Sequence, residues 1–317
     1  MRLGTRGSAL ALAQADLVSW LLGGCEIVTI ATAGDQGSTI GDKSRWVSEL
    51  ERALSAGEID LAVHSAKDVP GELAGGLALL GAPARAAAED VLCTPHAKSF
   101  VADARQPAGL DSLPSGARVG TSSIRRAAQL RAAREDLEVV AVRGNVDTRL
   151  RKLDEGGFDA LVLARAGLQR LDREAEIAAM LDPARFVPSP GQGTLALEGR
   201  AEDDTTRAAA QAITDDKAFA CLQAERAVAH ALEASCDAPL GAYAYDYGCG
   251  CLLLRAWVGL PDGSAWVDDE LLGGFYDPEA LGRRVAERLL GAGAGELLAD
   301  RGPADAGEPT RAIGGHQ

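Results

Sequence analysis

Aromatic residues are scarce in this sequence, 4% of 317 residues. Its cores must therefore be packed with alanine, leucine and valine, and the load of Ala, Gly and Arg points to a GC-rich coding bias. Histidine is scarcer still: there are four, one of them the penultimate residue His316. The six cysteines, at 25, 93, 221, 236, 249 and 251, form no C-x-x-C. That spacing spells neither a zinc site nor a disulfide framework, so the chain is expected to bind no metal and to keep its cysteines as thiols in a reducing, cytoplasmic compartment. No unbroken apolar run reaches the length of a membrane span. The first apolar stretch carries Gln14 and Asp16 and reads as an amphipathic helix, not a signal peptide. No Gly-x-x-x-x-Gly-Lys phosphate loop occurs. Positive charge is in short supply, with 32 Lys/Arg against 46 Asp/Glu and a net charge of −14. That balance argues against nucleic acid or an acidic membrane as a partner.

What positive charge exists is not spread evenly. Residues 118–173 hold 12 Lys/Arg against 8 Asp/Glu, a cationic island in an acidic chain and so a local anion site rather than a general coat. The length allows two or three domains. The pattern predicts an α/β unit from residues 1–92 and 194–211, a second α/β unit over 110–190, a small antiparallel α+β unit over 216–303, and a tail over 304–317. In the first unit, strands are expected at 1–4, 26–31, 59–63 and 77–80, with helices over 9–22 and 47–56. The second has strands at 118–120, 138–142 and 160–164, and helices that start after Ser122 or Ser123 and near Asp147. Residues 84–116 read as a crossing segment with an irregular insertion, and 186–193 as the return linker. The third begins with a long helix over 216–232. Strands at 240–245, 251–259 and 265–271 follow, with a turn at Pro261-Asp262-Gly263, then a helix capped by Asp277 with Pro278 in its first position.

The stretch Ala62-Val63-His64-Ser65-Ala66-Lys67-Asp68-Val69-Pro70 is where a buried strand meets a polar cluster. Pro70 disfavours helical backbone at Val69, so an extended turn is expected to bring Lys67 and Asp68 to the crevice at the strand ends. On these residues alone, a solvated Lys–Asp pair in a loop is the more ordinary reading. Gly120-Thr121-Ser122-Ser123-Ile124-Arg125-Arg126 places small and hydroxyl residues before a helix, where N–H groups and hydroxyls can cradle an anion. Arg125 and Arg126 in the first turn oppose the helix dipole without visible structural gain, which favours an anion in front of them; an ordinary cap with solvated arginines is equally open. Arg6, Arg143, Arg149 and Arg170 also fall at or just past strand ends. Gathered together, six arginines would demand a ligand with several carboxylates or phosphates; scattered, they would be solvated loop residues. Gly4-Thr5-Arg6-Gly7-Ser8 faintly echoes Gly120-Thr121-Ser122-Ser123, either as two lobes sharing one cleft or by chance. Gly191-Gln192-Gly193 reads as a hinge. Cys236 lies in a loop, where a thiol is freer to react than in a core, although on these residues alone a passive, half-buried thiol is the more ordinary reading.

Taken in order, these segments resemble the hydroxymethylbilane synthase (porphobilinogen deaminase) family over nearly the whole chain. The match runs through Thr5-Arg6-x-Ser8, His64-Ser65-x-Lys67-Asp68-Val69-Pro70, Gly120-Thr121-Ser122-Ser123-x-Arg125-Arg126, Arg143-Gly144-Asn145-x-x-Thr148-Arg149, Ala166-Gly167-Leu168-x-Arg170-Leu171, Gly191-Gln192-Gly193 with Glu198 and Arg200, and the Cys236 loop. The resemblance implies two lobes like those of periplasmic binding proteins and a third, cysteine-bearing domain. It implies a monomeric transferase with a covalent dipyrromethane cofactor, joined by a thioether to Cys236, that links four porphobilinogens head to tail with loss of one ammonia each. By the same resemblance Asp68 is the catalytic residue, acting as acid toward the leaving amine and steadying the positive pyrrole. Cys236, Lys67, Ser65, Ser123, Arg125 and Arg126 hold the cofactor. Arg6, Ser8, Arg143, Arg149 and Arg170 hold substrate and growing chain.

Departures from the family pattern bear on gating, chain length and the pyrrole accepted. The lid segment is short, Gly41-Asp42-Lys43-Ser44-Arg45-Trp46, and most of the usual glycines are gone. Ala234-Ser235 replaces a glycine pair before the cysteine, the run before Asp90 lacks the usual charged pattern, and residues 97–107 look inserted. The rival readings are a divergent paralogue acting on another pyrrole or stopping at another length, and a non-catalytic polycarboxylate receptor.

Overall fold

The computed structural model describes residues 1–30, 44–95, 109–234 and 238–300, with the backbone alone at 44–46. Of the lid expected over 41–46, residues 44–46 are the first turn of a helix; residues 41–43, the insertion at 97–107, Cys236 and the tail at 304–317 lie outside the described residues.

The first sheet starts with β1 (Arg2–Arg6), and Ser8 then caps α1 (Ala9–Leu21), its hydroxyl accepting from the Ala11 N–H. β2 (Glu26–Ile30), α2 (Ser44–Ser55), β3 (Leu61–Ser65) and β4 (Leu77–Gly81) follow. The chain then leaves this sheet. β5 (Asp90–Cys93) is hydrogen-bonded into the second sheet, between β8 (Ala160–Ala164) and β9 (Ile177–Met180). Residues 90–92, expected in the first unit, belong instead to the second sheet, and the segment expected to cross over 84–116 does cross, carrying a regular strand that was not expected there. A four-residue apolar strand shows no periodicity of its own, and only its neighbours define it.

The second sheet also holds β6 (Arg118–Thr121) and β7 (Glu138–Ala141), in the order β7-β6-β8-β5-β9. Its helices are α3 (Ile124–Ala133), α4 (Val146–Asp154) and the short α5 (Arg165–Arg170). Ser123 caps α3, and Asn145 caps α4 through its side-chain oxygen. The return linker leads to β10 (Leu195–Arg200), which lies antiparallel between β3 and β4, and then to α6 (Asp204–Ala212). The first sheet therefore reads β2-β1-β3-β10-β4. Both sheets combine parallel strands with an antiparallel strand contributed from the far side of a crossing. The two crossings lie side by side, the Ala86 N–H donating to the Gly193 carbonyl at 3.2 Å.

The last unit packs α7 (Asp216–Ala231) and α8 (Pro278–Gly291) on a three-stranded antiparallel sheet of β11 (Leu240–Gly248), β12 (Cys251–Gly259) and β13 (Trp266–Gly274), closed by α9 (Ala294–Ala299). Asp277 caps α8 with Pro278 in the first turn, as its sequence requires. The core here is Ala224, Val228, Leu252, Leu254, Val285 and Leu289, all with no exposure, and contains no buried aromatic. Each such leucine contributes roughly 1.5–3 kcal/mol by leaving water. Aliphatic residues dominate the other cores too, with Leu3, Leu61 and Leu197 in the first lobe and Leu92, Leu130 and Val162 in the second, where Phe186 is also buried. Among the described residues, no helix is long and apolar enough to cross a membrane.

Candidate active site

β3 ends at Ser65 and runs into one 3₁₀ turn, Ala66–Asp68. The expected turn is present but is a tight 3₁₀ turn rather than an extended one, and Val69, with φ −77° and ψ 128°, carries the extended backbone that Pro70 requires. The turn separates the two charged residues. Lys67 lines two cavities, while Asp68 lines a third with Arg6, Ser8, His64 and Ser65.

The three cavities form one cleft. The first holds Lys67 with Ser122, Ser123, Arg125 and Arg226, and is flanked by Ala234 and Ala238. The second holds Ser65 and Lys67 of the first lobe against Arg126, Arg149 and Arg170 of the second. Lys67 is common to these two, and Ser65 and Gln14 are common to the second and third. The Gln14 amide donates to the Ser65 hydroxyl at 2.8 Å, which ties α1 to the end of β3.

The arginines divide into two kinds. Arg125 and Arg126 are buried, and both grip Asp90. Arg125 Nη2 lies 2.8 Å from one carboxylate oxygen, and Arg126 Nε lies 2.9 Å from the other. Arg125 also donates to the Val187 carbonyl at 2.7 Å, and Arg126 to the Gln192 side chain at 3.3 Å. Burial would raise the Asp90 carboxyl, but the two guanidiniums hold it below the ordinary aspartate value. This corrects the expectation that cations in the first turn of α3 lack a structural partner. They have one in Asp90, 35 and 36 residues back along the chain. Their faces toward the cleft remain, Arg125 in the first cavity and Arg126 in the second.

Arg149 and Arg170 are different. Arg149 Nε donates to the Gly144 carbonyl and Arg170 Nη2 to the Gly193 carbonyl, each at 2.7 Å, and among the described residues neither forms an ion pair with a carboxylate. Arg170 Nε is buried without a hydrogen bond. Burial pushes both guanidiniums down to about 10, with Arg126 adding repulsion at Arg149. Half-buried cations without counter-charges fit a ligand that brings its own negative charge.

Arg143 does not join them. It is exposed and lines none of the three cavities. It lies in the loop between β7 and α4, and it is Arg149, one turn into α4, that reaches the second cavity. Ser8 and Ser123 are present at the cleft, and both hydroxyls also cap helices.

Several site residues escaped the sequence reading. Asp90 is one. Another group is Arg85, Gln192 and Glu225 at the junction of all three units. Arg85 Nη1 meets Glu225 at 2.7 Å, its Nε donates to the Gln192 carbonyl at 2.9 Å, and the Gly191 N–H donates to Glu225 at 2.6 Å. Gly191, with φ 73°, cannot be replaced cheaply, since an added Cβ would lie 2.9 Å from that of Ala66. Arg226 of α7 donates to the Pro70 carbonyl at 2.7 Å and to that of Gly71 at 3.0 Å, fixing the loop after Asp68. Behind Asp68, His64 Nε2 lies 2.8 Å from the buried Glu198 carboxylate, out of line for a straight hydrogen bond. Among the described residues no cluster of metal-ligating side chains occurs.

Comparison with known proteins agrees with this geometry. The family model described as porphobilinogen deaminase, dipyromethane cofactor binding domain, matches residues 1–208, and the one described as porphobilinogen deaminase, C-terminal domain, matches residues 219–291. A porphobilinogen deaminase of Xanthomonas euvesicatoria pv. vesicatoria is 44% identical over 311 residues, 95% of this chain and 99% of that one. One from Brevibacillus brevis is 42% identical over 310 residues, covering 94% and 96% of the two chains, and one from Thermus thermophilus is 43% identical over 302 residues, covering 93% and 97%. Among solved structures, the VFT2 domain of Bordetella pertussis BvgS overlaps 67% of this chain and 86% of its own at 18% identity and a TM-score of 0.38. On the extent of these matches, this chain belongs to the porphobilinogen deaminase family.

Proposed function

We propose that this protein is a transferase that deaminates porphobilinogen and joins four units head to tail into hydroxymethylbilane, on a dipyrromethane cofactor tethered to Cys236. The observation that carries the reading is the cleft itself. Arg126, Arg149 and Arg170 from the second lobe face Ser65 and Lys67 from the first, beside the cavity of Asp68 and Arg6.

The residues suit the cofactor. Ala234 and Ala238, on either side of the Cys236 segment, line the same cavity as Lys67, Ser123 and Arg125. A group tethered there would meet a lysine, hydroxyls and an arginine, which are donors for pyrrole carboxylates. When bound, it supplies the pyrrole carbon to which the first substrate is joined.

The chain's own residues do the rest. Ser65 and Lys67 hold carboxylates of the bound cofactor, with Arg125 and Arg126 as fixed positive walls. Their shared tie to Asp90 fixes their orientation before any ligand arrives, and such preorganisation lowers the ordering cost of binding. Arg6 and Ser8 take the incoming pyrrole, and Arg149 and Arg170 take the lengthening chain. The exposed Arg143 contacts a chain that extends out of the cleft. Asp68 gives a proton to the departing amine and, once ionised, balances the positive charge left on the pyrrole. Each addition breaks one C–N bond and the C–H bond at the accepting pyrrole carbon, makes one C–C bond and releases one ammonia, the proton freed from carbon replacing the one that Asp68 gave to the amine. The proposal extends to a cytoplasmic monomer.

Intact mass spectrometry after addition of porphobilinogen tests the whole reading. A covalent dipyrromethane adduct and its stepwise extension are expected. Cys236→Ser is expected to lose the adduct, and Asp68→Ala to keep its fold but lose nearly all turnover. Ligand binding without ammonia release would turn the assignment toward a receptor.

A further inference from the structure

The hairpin between β11 and β12 turns on Cys249 and Gly250, because Gly248 faces Cys251 in the last register pair. Both turn residues have positive φ, 53° at Cys249 and 73° at Gly250. Such a two-residue turn favours Asn-Gly or Gly-Gly. A cysteine in left-handed backbone is crowded at its Cβ, and this one is exposed, so no packing offsets the cost.

The second thiol lies on the same tip. Cys251 is half-buried, and its sulfur sits 3.9 Å from the Cys249 carbonyl oxygen, folded back over the turn. Two Cα–Cα steps bent through the positive-φ glycine bring the two Cα atoms to roughly 5.5 Å, within the span of a disulfide. The tip is held on both sides. Asp246 accepts from the Gly248 N–H at 3.0 Å, and the Gly250 carbonyl accepts from the Phe275 N–H at 2.9 Å. The thiols of Cys93 and Cys221 offer no such chemistry, since burial pushes both up to about 12.

We propose that Cys249-Gly250-Cys251 is a surface dithiol that closes reversibly to a disulfide on meeting a low-molecular-weight disulfide such as oxidised glutathione. The Cys249 thiolate attacks one sulfur of the oxidant and expels the first small thiolate, leaving a mixed disulfide. The Cys251 thiolate attacks the Cys249 sulfur and expels the second. The protein gives up two electrons and two protons, and the oxidant becomes two thiols. A ring spanning one intervening residue is strained, and strained, exposed disulfides are readily reduced again. β11 runs from Leu240, at the cofactor cavity, to this tip, roughly 27 Å away at strand rise. The site therefore senses thiol redox state without touching the chemistry.

The test uses the holoenzyme incubated in graded mixtures of oxidised and reduced glutathione, then alkylated and analysed by intact and peptide mass. The expected product is a loss of two hydrogen masses confined to the peptide holding both cysteines. It should be reversed by dithiothreitol, with turnover changed less than twofold. Cys251→Ser should instead retain one glutathione on Cys249. The proposal is overturned if wild type ends as a persistent glutathione adduct without ring closure. It is also overturned if both thiols stay fully alkylatable in the most oxidising glutathione mixture, or if the disulfide links two molecules.

Discussion

Arg126 Nη2 lies 2.7 Å from Asp90 Oδ1, with both side chains almost wholly buried, and the second oxygen of Asp90 takes Arg125. One carboxylate thus fixes two guanidiniums that face different cavities of the cleft. Asp90→Asn keeps the shape and removes the charge. Breaking a buried pair by neutralising one member costs about 3–5 kcal/mol. Urea unfolding should show that loss as a lower midpoint at unchanged slope, together with weaker cofactor retention. An unchanged midpoint would mean that the two arginines have another counter-charge.

The same triad sets an acid limit. Burial would raise Asp90, but Arg125 and Arg126 outweigh it and depress the carboxyl. A carboxylate depressed on folding stabilises the protein above its unfolded value near 3.9, and that contribution is lost as pH falls through the folded value. Melting temperature against pH should drop more steeply below about pH 4 in wild type than in Asp90→Asn. Parallel curves would remove Asp90 from that role.

Arg149 carries the opposite sign. Its folded value is pushed down to about 10, so its charge costs stability at every pH below that and the cost fades above it. Arg149→Met should leave the cofactor-free protein as stable as wild type, or raise its melting temperature by about 2–4 °C for a gain near 1 kcal/mol. Turnover of porphobilinogen should fall at least tenfold. A variant that melts earlier and turns over normally would make Arg149 a structural residue.

Arg226 reaches from α7 to three successive carbonyls, those of Val69, Pro70 and Gly71. Hydrogen bonds from a charged donor are worth about 1.5–3 kcal/mol. Arg226→Met should loosen the loop after Asp68 and speed cleavage by a Glu-specific protease at the exposed Glu72. It should also lower kcat more than it raises KM. Equal cleavage rates would show that α7 does not hold this loop.

Much of the site was legible because local rules apply where strands end. Ser8 and Ser123 cap helices as their types and positions predict, and Arg6, Arg126, Arg149 and Arg170 reach one cleft from the ends of different strands. Arg143 follows the same rule in sequence and fails it in space: it stands exposed in the loop after β7, while Arg149, past the same strand, is brought to the cleft by α4. The tight turn at Ala66–Asp68 was hidden because proline constrains Val69 and says little about the three residues before it.

The amino-acid order alone determined the helix caps, the hairpins, the small-residue cores and the supply of arginines past strand ends, since these depend on neighbours a few residues apart. Tertiary structure decided which of those arginines are matched and which are left with charge to share. Arg125 and Arg126 meet a carboxylate from a strand that joins the second sheet only after a crossing, whereas Arg149 and Arg170 meet carbonyl oxygens. Coulomb energy depends on distance in space and on burial, and neither is written in the spacing of residues along a chain.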